Sequence, residues 1–177
     1  MKLKLCLITL ALAAGLVTVR AADAPATPKV GDAAPLIEGR DQNGKTWKLA
    51  GHVRKKIVLL YFYPKDDTPG CTKQACGLRD RMGDLQKDGV EVVGVSVDSA
   101  DSHQKFIAKH NLNFTLLTDT DFKITDAFGV RMEGRPLARR ASFLIGRDGK
   151  IAHVTDVMNA DTHLNEMKDA VAKLKKS

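Results

Sequence analysis

The residues whose types and spacing are best suited to chemistry are Cys71 and Cys76, which close the stretch Tyr61-Phe62-Tyr63-Pro64-Lys65-Asp66-Asp67-Thr68-Pro69-Gly70. A cysteine becomes a nucleophile when it ionises, and ionisation is favoured where backbone N–H groups and a helix dipole present positive charge. Thr68 is a good helix cap and Pro69 the favoured first helical residue, so Gly70 takes the second position and Cys71 the third. In that register the Thr68 oxygen would reach toward the Cys71 amide, and Gly70 offers no side chain to obstruct a small reactant. Taken alone, Thr68-Pro69-Gly70 also describes an ordinary capped helix, and Cys71 an inert buried thiol.

The spacing narrows these readings. Two cysteines in an exported protein ordinarily suggest a structural disulfide. Five residues along an α-helix, however, rise ~7.5 Å and turn ~140°, which separates their Cα atoms by about 8.7 Å. A disulfide tolerates no more than about 7 Å, so a Cys71–Cys76 bond requires the helix to open. Gly77, a poor helix former, follows directly. A thiol–disulfide oxidoreductase would need Cys-x-x-Cys, and here four residues intervene. Two cysteines without a conforming His pair also fall short of a zinc site, and His103, His110 and His163 are scattered and expected at the surface.

The elements that must position this segment are legible in the apolar pattern. Ile57 to Phe62 is an uncharged apolar run, the signature of a strand buried on both faces. Cys71, Ala75, Leu78, Met82 and Leu85 recur at steps of four and three, which predicts an amphipathic helix with Cys76 off its stripe. The loop between them therefore lies at the carboxyl edge of a strand, where open α/β sheets place their sites. Upstream, Asn43-Gly44 between Leu36-Ile37 and Thr46 to Leu49 predicts a small hairpin. Downstream come a strand over Val90 to Val97, a helix over Asp101 to His110, a strand at Leu116-Leu117 and a helix over Phe122 to Phe128. Strands over Ala141 to Ile145 and Ile151 to Val157 are joined by the turn Arg147-Asp148-Gly149-Lys150, and Asp161 opens a last helix carrying Leu164, Met167, Val171 and Leu174. The expected class is α/β, a mixed central sheet with helices on both faces and an N-terminal hairpin.

Length and charge bound the partners. A chain of 177 residues suits one domain with one core, and its 44% hydrophobic and 28% charged residues exclude a disordered or fibrous protein. The start has a signal-peptide layout: Lys2 and Lys4, an apolar run from Leu5 to Val19 that includes Cys6, then small residues with cleavage expected after Ala21. The expected organisation is a signal over 1–21, a flexible Ala/Pro-rich leader over 22–33 and one domain over 34–177. Loss of Lys2, Lys4 and Arg20 from the 28 basic residues leaves 25 against 21 acidic ones, a formal +4 in place of +7. So small an excess argues against nucleic-acid binding, and after cleavage no membrane segment is expected. Lys173, Lys175 and Lys176 suit the end of a helix dipole better than a binding patch.

In the run Pro64, Thr68, Cys71 the chain closely resembles the peroxiredoxins, whose motif is Pro-x-x-x-Thr-x-x-Cys. With Cys76 five residues on, Gly77-Leu78-Arg79-Asp80 and Ser142-Phe143-Leu144-Ile145, it resembles the bacterioferritin comigratory protein or peroxiredoxin Q branch, from about Ala34 to the end. The resemblance implies a thioredoxin-like fold and a thiol peroxidase acting on hydrogen peroxide and organic hydroperoxides. It implies Cys71 as peroxidatic and Cys76 as resolving cysteine, joined in an intramolecular disulfide, with Thr68 and Pro64 shaping the pocket and Arg140 as the essential arginine, beside its competitor Arg139. No metal or organic cofactor is implied. The implied partners are a hydroperoxide and a thioredoxin-like or other dithiol reductant, the expected state is a monomer, and the expected location is the bacterial periplasm. Three features depart from the branch: Gln74 where many members carry Glu, Gly146 in place of Asp, and a shorter loop from Val130 to Arg139.

Magnitudes show what the neighbours of a reactive thiol must supply. A thiol of pKa near 8.5 is about 3% ionised at pH 7, and a fall of two units gains about 25-fold in thiolate. The accompanying loss of nucleophilicity costs about 8-fold, which leaves roughly threefold. A fast peroxidase must therefore also align the peroxide and stabilise charge on the departing oxygen, tasks for Arg140, Thr68 and the first-turn amides. The rivals are an exported thiol–disulfide oxidoreductase and a non-enzymatic peroxide sensor, which would react once per molecule.

Overall fold

The computed structural model describes residues 26–175. The signal segment, Cys6, the first part of the leader and Lys176 lie outside the described residues. In chain order the elements are β1 (Glu38–Asp41), β2 (Thr46–Lys48), a short 3-10 turn (Leu49–Gly51), β3 (Ile57–Phe62) and α1 (Pro69–Lys87). Then follow β4 (Val90–Ser96), α2 (Ala100–His110), β5 (Thr115–Thr118), α3 (Lys123–Ala127), β6 (Ala141–Ile145), β7 (Ile151–Thr155) and α4 (Ala160–Leu174). The seven strands form one mixed sheet in the order β2-β1-β5-β4-β3-β6-β7.

β3 is central, parallel to β4 and antiparallel to β6, and every one of its residues is buried. Its alternation divides the core into two layers. Leu59, Tyr61 and Tyr63 join Cys71, Ala75 and Leu78 of α1, Phe106 of α2 and Leu164 and Met167 of α4. Val58, Leu60 and Phe62 face the other way, against Trp47, Ile124 of α3, Phe128 and Phe143. Three helices thus cover one face of the sheet, and α3 covers the other together with Ala34, Ile37 and Leu49, which flank the hairpin, and Phe128 and Val130.

Local chemistry sets the element ends. The hairpin turns where expected, with Gly44 at φ 75°, but its first strand starts at Glu38 because the ladder is counted back from the turn: Arg40 pairs Thr46 and Glu38 pairs Lys48. Ile37 is buried beyond that ladder and Leu36 is exposed. Ser99 caps α2, and Asn159 caps α4 by accepting from the amides of Asp161 and Thr162. α3 starts after Phe122, in the left-handed region at φ 62°, with the Asp119 carboxylate accepting from the amides of Ile124 and Thr125. Ahead of the hairpin, Gly31 and Asp32 exchange backbone hydrogen bonds with Ile151, and Ala34 donates to Gly149, so this stretch runs along the β6–β7 edge.

Candidate active site

At the end of β3, Tyr63 still donates its N–H to Val95, and the chain then bends at Pro64 into a loop held by two aspartates. The buried carboxylate of Asp66 accepts from the Tyr63 hydroxyl (2.7 Å) and the Ser102 hydroxyl (2.8 Å) and meets Nδ1 of His103 (2.8 Å). The Asp66 amide donates to Asp98 (2.9 Å), and Nε2 of His103 faces the Leu117 carbonyl (3.3 Å). Asp67, at φ 56°, pairs on the surface with Lys109 and His110, which hold its carboxyl below the ordinary range. The loop is therefore anchored to α2 at two successive residues.

That anchoring delivers Thr68 to the N-cap of α1, with its carbonyl accepting from Thr72 N–H (2.8 Å). The expected bond from the Thr68 side chain to the Cys71 amide is not made. Its hydroxyl donates instead to the Lys65 carbonyl (3.2 Å), because the bend of the loop brings that acceptor back to the cap. Among the described residues no side chain caps the first turn, so its amides remain available to an anion near the sulfur.

Cys71 is 3% exposed in the first turn of α1, and Nη2 of Arg140 donates to its Sγ at 3.4 Å. The meeting of residues so far apart is a matter of register. Phe62 pairs with Ala141, so Arg140, immediately before β6, is carried to the outgoing end of β3, where α1 begins. Nη1 of Arg140 donates to Oε1 of Gln74, one turn along α1. Arg140 is only 5% exposed and has no carboxylate in ion-pair contact among the described residues. Its hydrogen-bonded partners are a neutral amide and the sulfur, and a buried guanidinium so placed favours negative charge at its open side. A Cβ on Gly70 would lie 3.2 Å from Nη2, so this glycine keeps the approach to the guanidinium clear. Arg139 points elsewhere, to Asp156 (3.7 Å) and the Thr27 hydroxyl (3.1 Å).

Cys76 is half-buried on the same helix, and both sulfurs are free thiols. Gly77 has a packing reason as well as a helix-weakening effect: a Cβ there would fall 2.3 Å from Cδ1 of Leu164, so α1 and α4 touch at this point. Lys73 and Asp161 add an exposed ion pair across the same two helices.

The histidines correct one expectation. His103 and His163 are not at the surface but fully buried, each because a distant element supplies partners for both ring nitrogens; His110 is half-buried. His163 faces the Val157 carbonyl through Nδ1 (3.2 Å) and the Ser142 hydroxyl through Nε2 (2.6 Å). Burial holds its pKa below the ordinary value, the Val157 bond opposing and Arg140 assisting. Burial likewise pushes the phenols of Tyr61 and Tyr63 well up; for Tyr61 the charges of Asp66 and Cys71 add to the effect. Among the described residues no three His, Cys, Asp or Glu side chains converge to hold a metal. Tyr61, Tyr63, Asp66 and His103 escaped sequence reasoning. Asp66 beside Asp67 reads as a solvated loop charge until α2 is placed against it.

A buried sulfur at a helix start, hydrogen-bonded by a buried arginine, agrees with what comparison with known proteins finds. Residues 30–154 match the AhpC/TSA family. Over 141 residues the chain is 45% identical to peroxiredoxin Bcp of Escherichia coli, an alignment that takes in 76% of this chain and 90% of that one. The chain is a peroxiredoxin of the AhpC/TSA family. Its solved structural relatives include peroxidoxin BcpB from Mycobacterium tuberculosis, 31% identical with a TM-score of 0.75 over 84% of this chain and 97% of that one. A bacterioferritin comigratory protein from Xanthomonas campestris, studied for alkyl peroxide reduction, is 27% identical with a TM-score of 0.74 over 85% and 99%. The peroxiredoxin accordingly has the thioredoxin-like fold, belongs to the bacterioferritin comigratory protein or peroxiredoxin Q branch, and is a thiol peroxidase that takes a peroxide and a thiol reductant.

Proposed function

We propose that Cys71 is the peroxidatic cysteine and Cys76 the resolving one in the reduction of hydrogen peroxide and organic hydroperoxides. The observation that carries the reading is the 3.4 Å contact from Nη2 of the buried Arg140 to Cys71 Sγ. The Cys71 thiolate attacks the terminal oxygen of the hydroperoxide, the O–O bond breaks, and its electron pair leaves with the alkoxide or hydroxide, which takes up a proton. Arg140 and the first-turn amides stabilise charge on the oxygens as that bond lengthens, while Thr68 and Pro64 shape the approach. Sulfur has lost two electrons and carries the hydroxyl of a sulfenic acid. The Cys76 thiolate then attacks Cys71, that hydroxyl leaves as water, and a thioredoxin-like or other dithiol returns both sulfurs to thiols.

The second step needs a change of shape. Cys71 and Cys76 lie five residues apart in one continuous helix, Pro69–Lys87, a spacing of about 8.7 Å between Cα atoms. The first turns of α1 must unwind before the sulfurs can meet. Reduction of alkyl peroxide by the Xanthomonas campestris relative supports organic hydroperoxides as substrates. The reading further takes the enzyme as an exported, periplasmic monomer with residues 1–21 as its signal.

Peroxide consumption in the presence of a generic dithiol tests the assignment. Wild type is expected to consume many equivalents, and Cys71→Ser none. Cys76→Ser is expected to consume one rapid equivalent and then accumulate sulfenic or sulfinic acid on Cys71. Turnover by Cys71→Ser would remove Cys71 from its role, and a single equivalent from wild type would make the protein a sensor.

A further inference from the structure

The end of the sheet opposite Cys71 gathers positive charge from three segments that are distant in sequence. β3 starts there at Ile57, whose N–H donates to the Gly89 carbonyl (3.0 Å), and it reaches the site at its other end. The turn before β3 carries Arg54, Lys55 and Lys56, and the β6–β7 turn carries Arg147 and Lys150. Lys29 opens the N-terminal stretch whose Gly31 donates to Ile151. Backbone contacts fix the three together: Arg54 N–H donates to the Arg147 carbonyl (2.9 Å), Ala34 N–H to the Gly149 carbonyl (2.9 Å), and Ala33 bridges Lys150. All six cationic residues are exposed.

Their surroundings do little to neutralise them. Near the site Lys73, Arg79, Lys109 and Arg139 each face a carboxylate, whereas Lys29, Arg54, Lys55, Arg147 and Lys150 form no ion pair among the described residues. Lys56 meets Glu91 at 3.8 Å, a carboxylate already bonded to His52 and Trp47. The acids within these segments turn to the backbone, Asp148 accepting from Lys150 N–H (3.0 Å) and Asp32 from Lys29 N–H (2.8 Å). Two backbone features hold the cations in place. Arg54 lies in the left-handed region at φ 74°, where glycine or asparagine is the ordinary choice, and no side-chain hydrogen bond among the described residues accounts for an arginine there. Gly89, at φ 72°, lies under the Arg147 guanidinium: a Cβ would fall 2.7 Å from Nη2, so glycine lets this side chain cross to the start of β3 and β4. Like charges gathered in this way repel one another in the isolated chain and favour contact with an anion-rich surface.

We infer that this pole is a docking surface for an anionic lipid bilayer. Val30, 62% exposed beside Lys29, favours a bilayer over a nucleic acid or an acidic protein. An apolar side chain among cations gains by entering the headgroup boundary, whereas a phosphodiester backbone offers it nothing. Among the described residues no helix is long and apolar enough to cross a membrane, so the contact is peripheral. Docked by this end, the six residues of β3 stand between bilayer and site, a height of about 20 Å. Cys71 then faces the solvent from which hydroperoxide and dithiol arrive. The inference does not depend on the roles of Cys71 and Cys76.

Cosedimentation with vesicles tests it, using the chain from residue 22 onward in keeping with the reading of 1–21 as a signal, so that the apolar run cannot itself enter the lipid. At low salt the protein is expected to sediment with vesicles of equal parts phosphatidylcholine and phosphatidylglycerol, to ignore phosphatidylcholine alone, and to be released by about 0.5 M NaCl. Each cation near an anionic bilayer contributes about fivefold in affinity, so Lys55→Glu/Arg147→Glu should weaken binding at least about 25-fold. Lys105→Glu/Lys168→Glu makes the same change in net charge on exposed helix positions and should lose far less. Both double variants should keep the melting temperature and peroxide consumption of the parent, since neither touches the site. Val30→Ser should weaken vesicle binding several-fold. Equal binding to both vesicle types, or equal losses in the two double variants, would overturn the inference. So would tighter binding to duplex DNA than to the anionic vesicles, or unchanged vesicle binding by Val30→Ser.

Discussion

Arg140→Met separates charge stabilisation from folding. The side chain is 5% exposed, donates to Cys71 Sγ at 3.4 Å and to Gln74, and has no carboxylate partner among the described residues. Methionine fills much of the same volume without a charge and leaves Oε1 of Gln74 without its donor. The lost bond to the buried Gln74 costs about 1–3 kcal/mol, so the melting temperature of the reduced variant is expected to fall by roughly 3–10 °C with the protein still folded at the assay temperature. The rate should behave differently. Removing a preorganised donor aimed at developing charge costs about 10²- to 10³-fold, whereas altered ionisation and nucleophilicity of a thiol together account for roughly threefold. Stopped-flow peroxide oxidation should therefore be measured at a pH where Cys71 is fully ionised in both proteins, which removes protonation from the comparison. A loss of at least about 100-fold is expected, with an Arg139→Ala control close to wild type because Arg139 contacts Asp156 and Thr27 instead. A loss below about tenfold, or one matched by a loss of folded protein, would refute the charge-stabilising role.

Hydrogen exchange on the oxidised form should show lost protection from Cys71 to about Arg79, while Asp66, anchored to Asp98 and α2, stays protected; equal protection of residues 71–79 in a verified disulfide form would sink the unwinding step. Gly77→Ala should destabilise the protein by up to ~2 kcal/mol in urea titrations, because an overpacking cost of ~1–3 kcal/mol from a Cβ 2.3 Å from Leu164 Cδ1 is only partly offset by the ~1 kcal/mol gain in helix propensity. In a Leu164→Ala background the sign should reverse, and an unchanged sign would point away from that contact. His163 is held below the ordinary histidine value near 6.5 by burial, so on acidification the unfolded chain takes up the proton first. Stability should be lost as the pH falls through about 6.5 toward the folded value, and His163→Gln should show a smaller drop in urea midpoint between pH 7.5 and 5.5. An identical drop in that variant would assign the acid sensitivity elsewhere.

The elements around the site follow from period and punctuation, which are local properties of the chain. The uncharged run Ile57–Phe62 makes a buried strand in any setting with two covered faces, and Thr68-Pro69 starts a helix whose stripe of Cys71, Ala75, Leu78 and Met82 turns inward. Cys71 stands in the first turn for the same reason, so the reactive candidate and its place on a helix are legible residue by residue. The partners of that sulfur are not. Arg140 reaches Cys71 because β6 runs antiparallel beside β3 with Ala141 opposite Phe62, and a strand pattern specifies which face is buried without specifying the neighbouring strand or its register. Asp66 and His103 look like solvated charges in sequence, and they are buried because α2 and β5 supply Ser102 and the Leu117 carbonyl to complete their hydrogen bonds. The Thr68 hydroxyl turns back to Lys65 because of the loop's bend, which cap preferences do not encode. Tyr61 reads as one more aromatic in an apolar strand, and only the packing of Gly94, Tyr63 and Phe114 around its ring decides how deeply it is buried. Periodicity assigns a side chain to a face, whereas the acceptors and charges it meets come from elements far away in the chain, and only the tertiary structure brings them together.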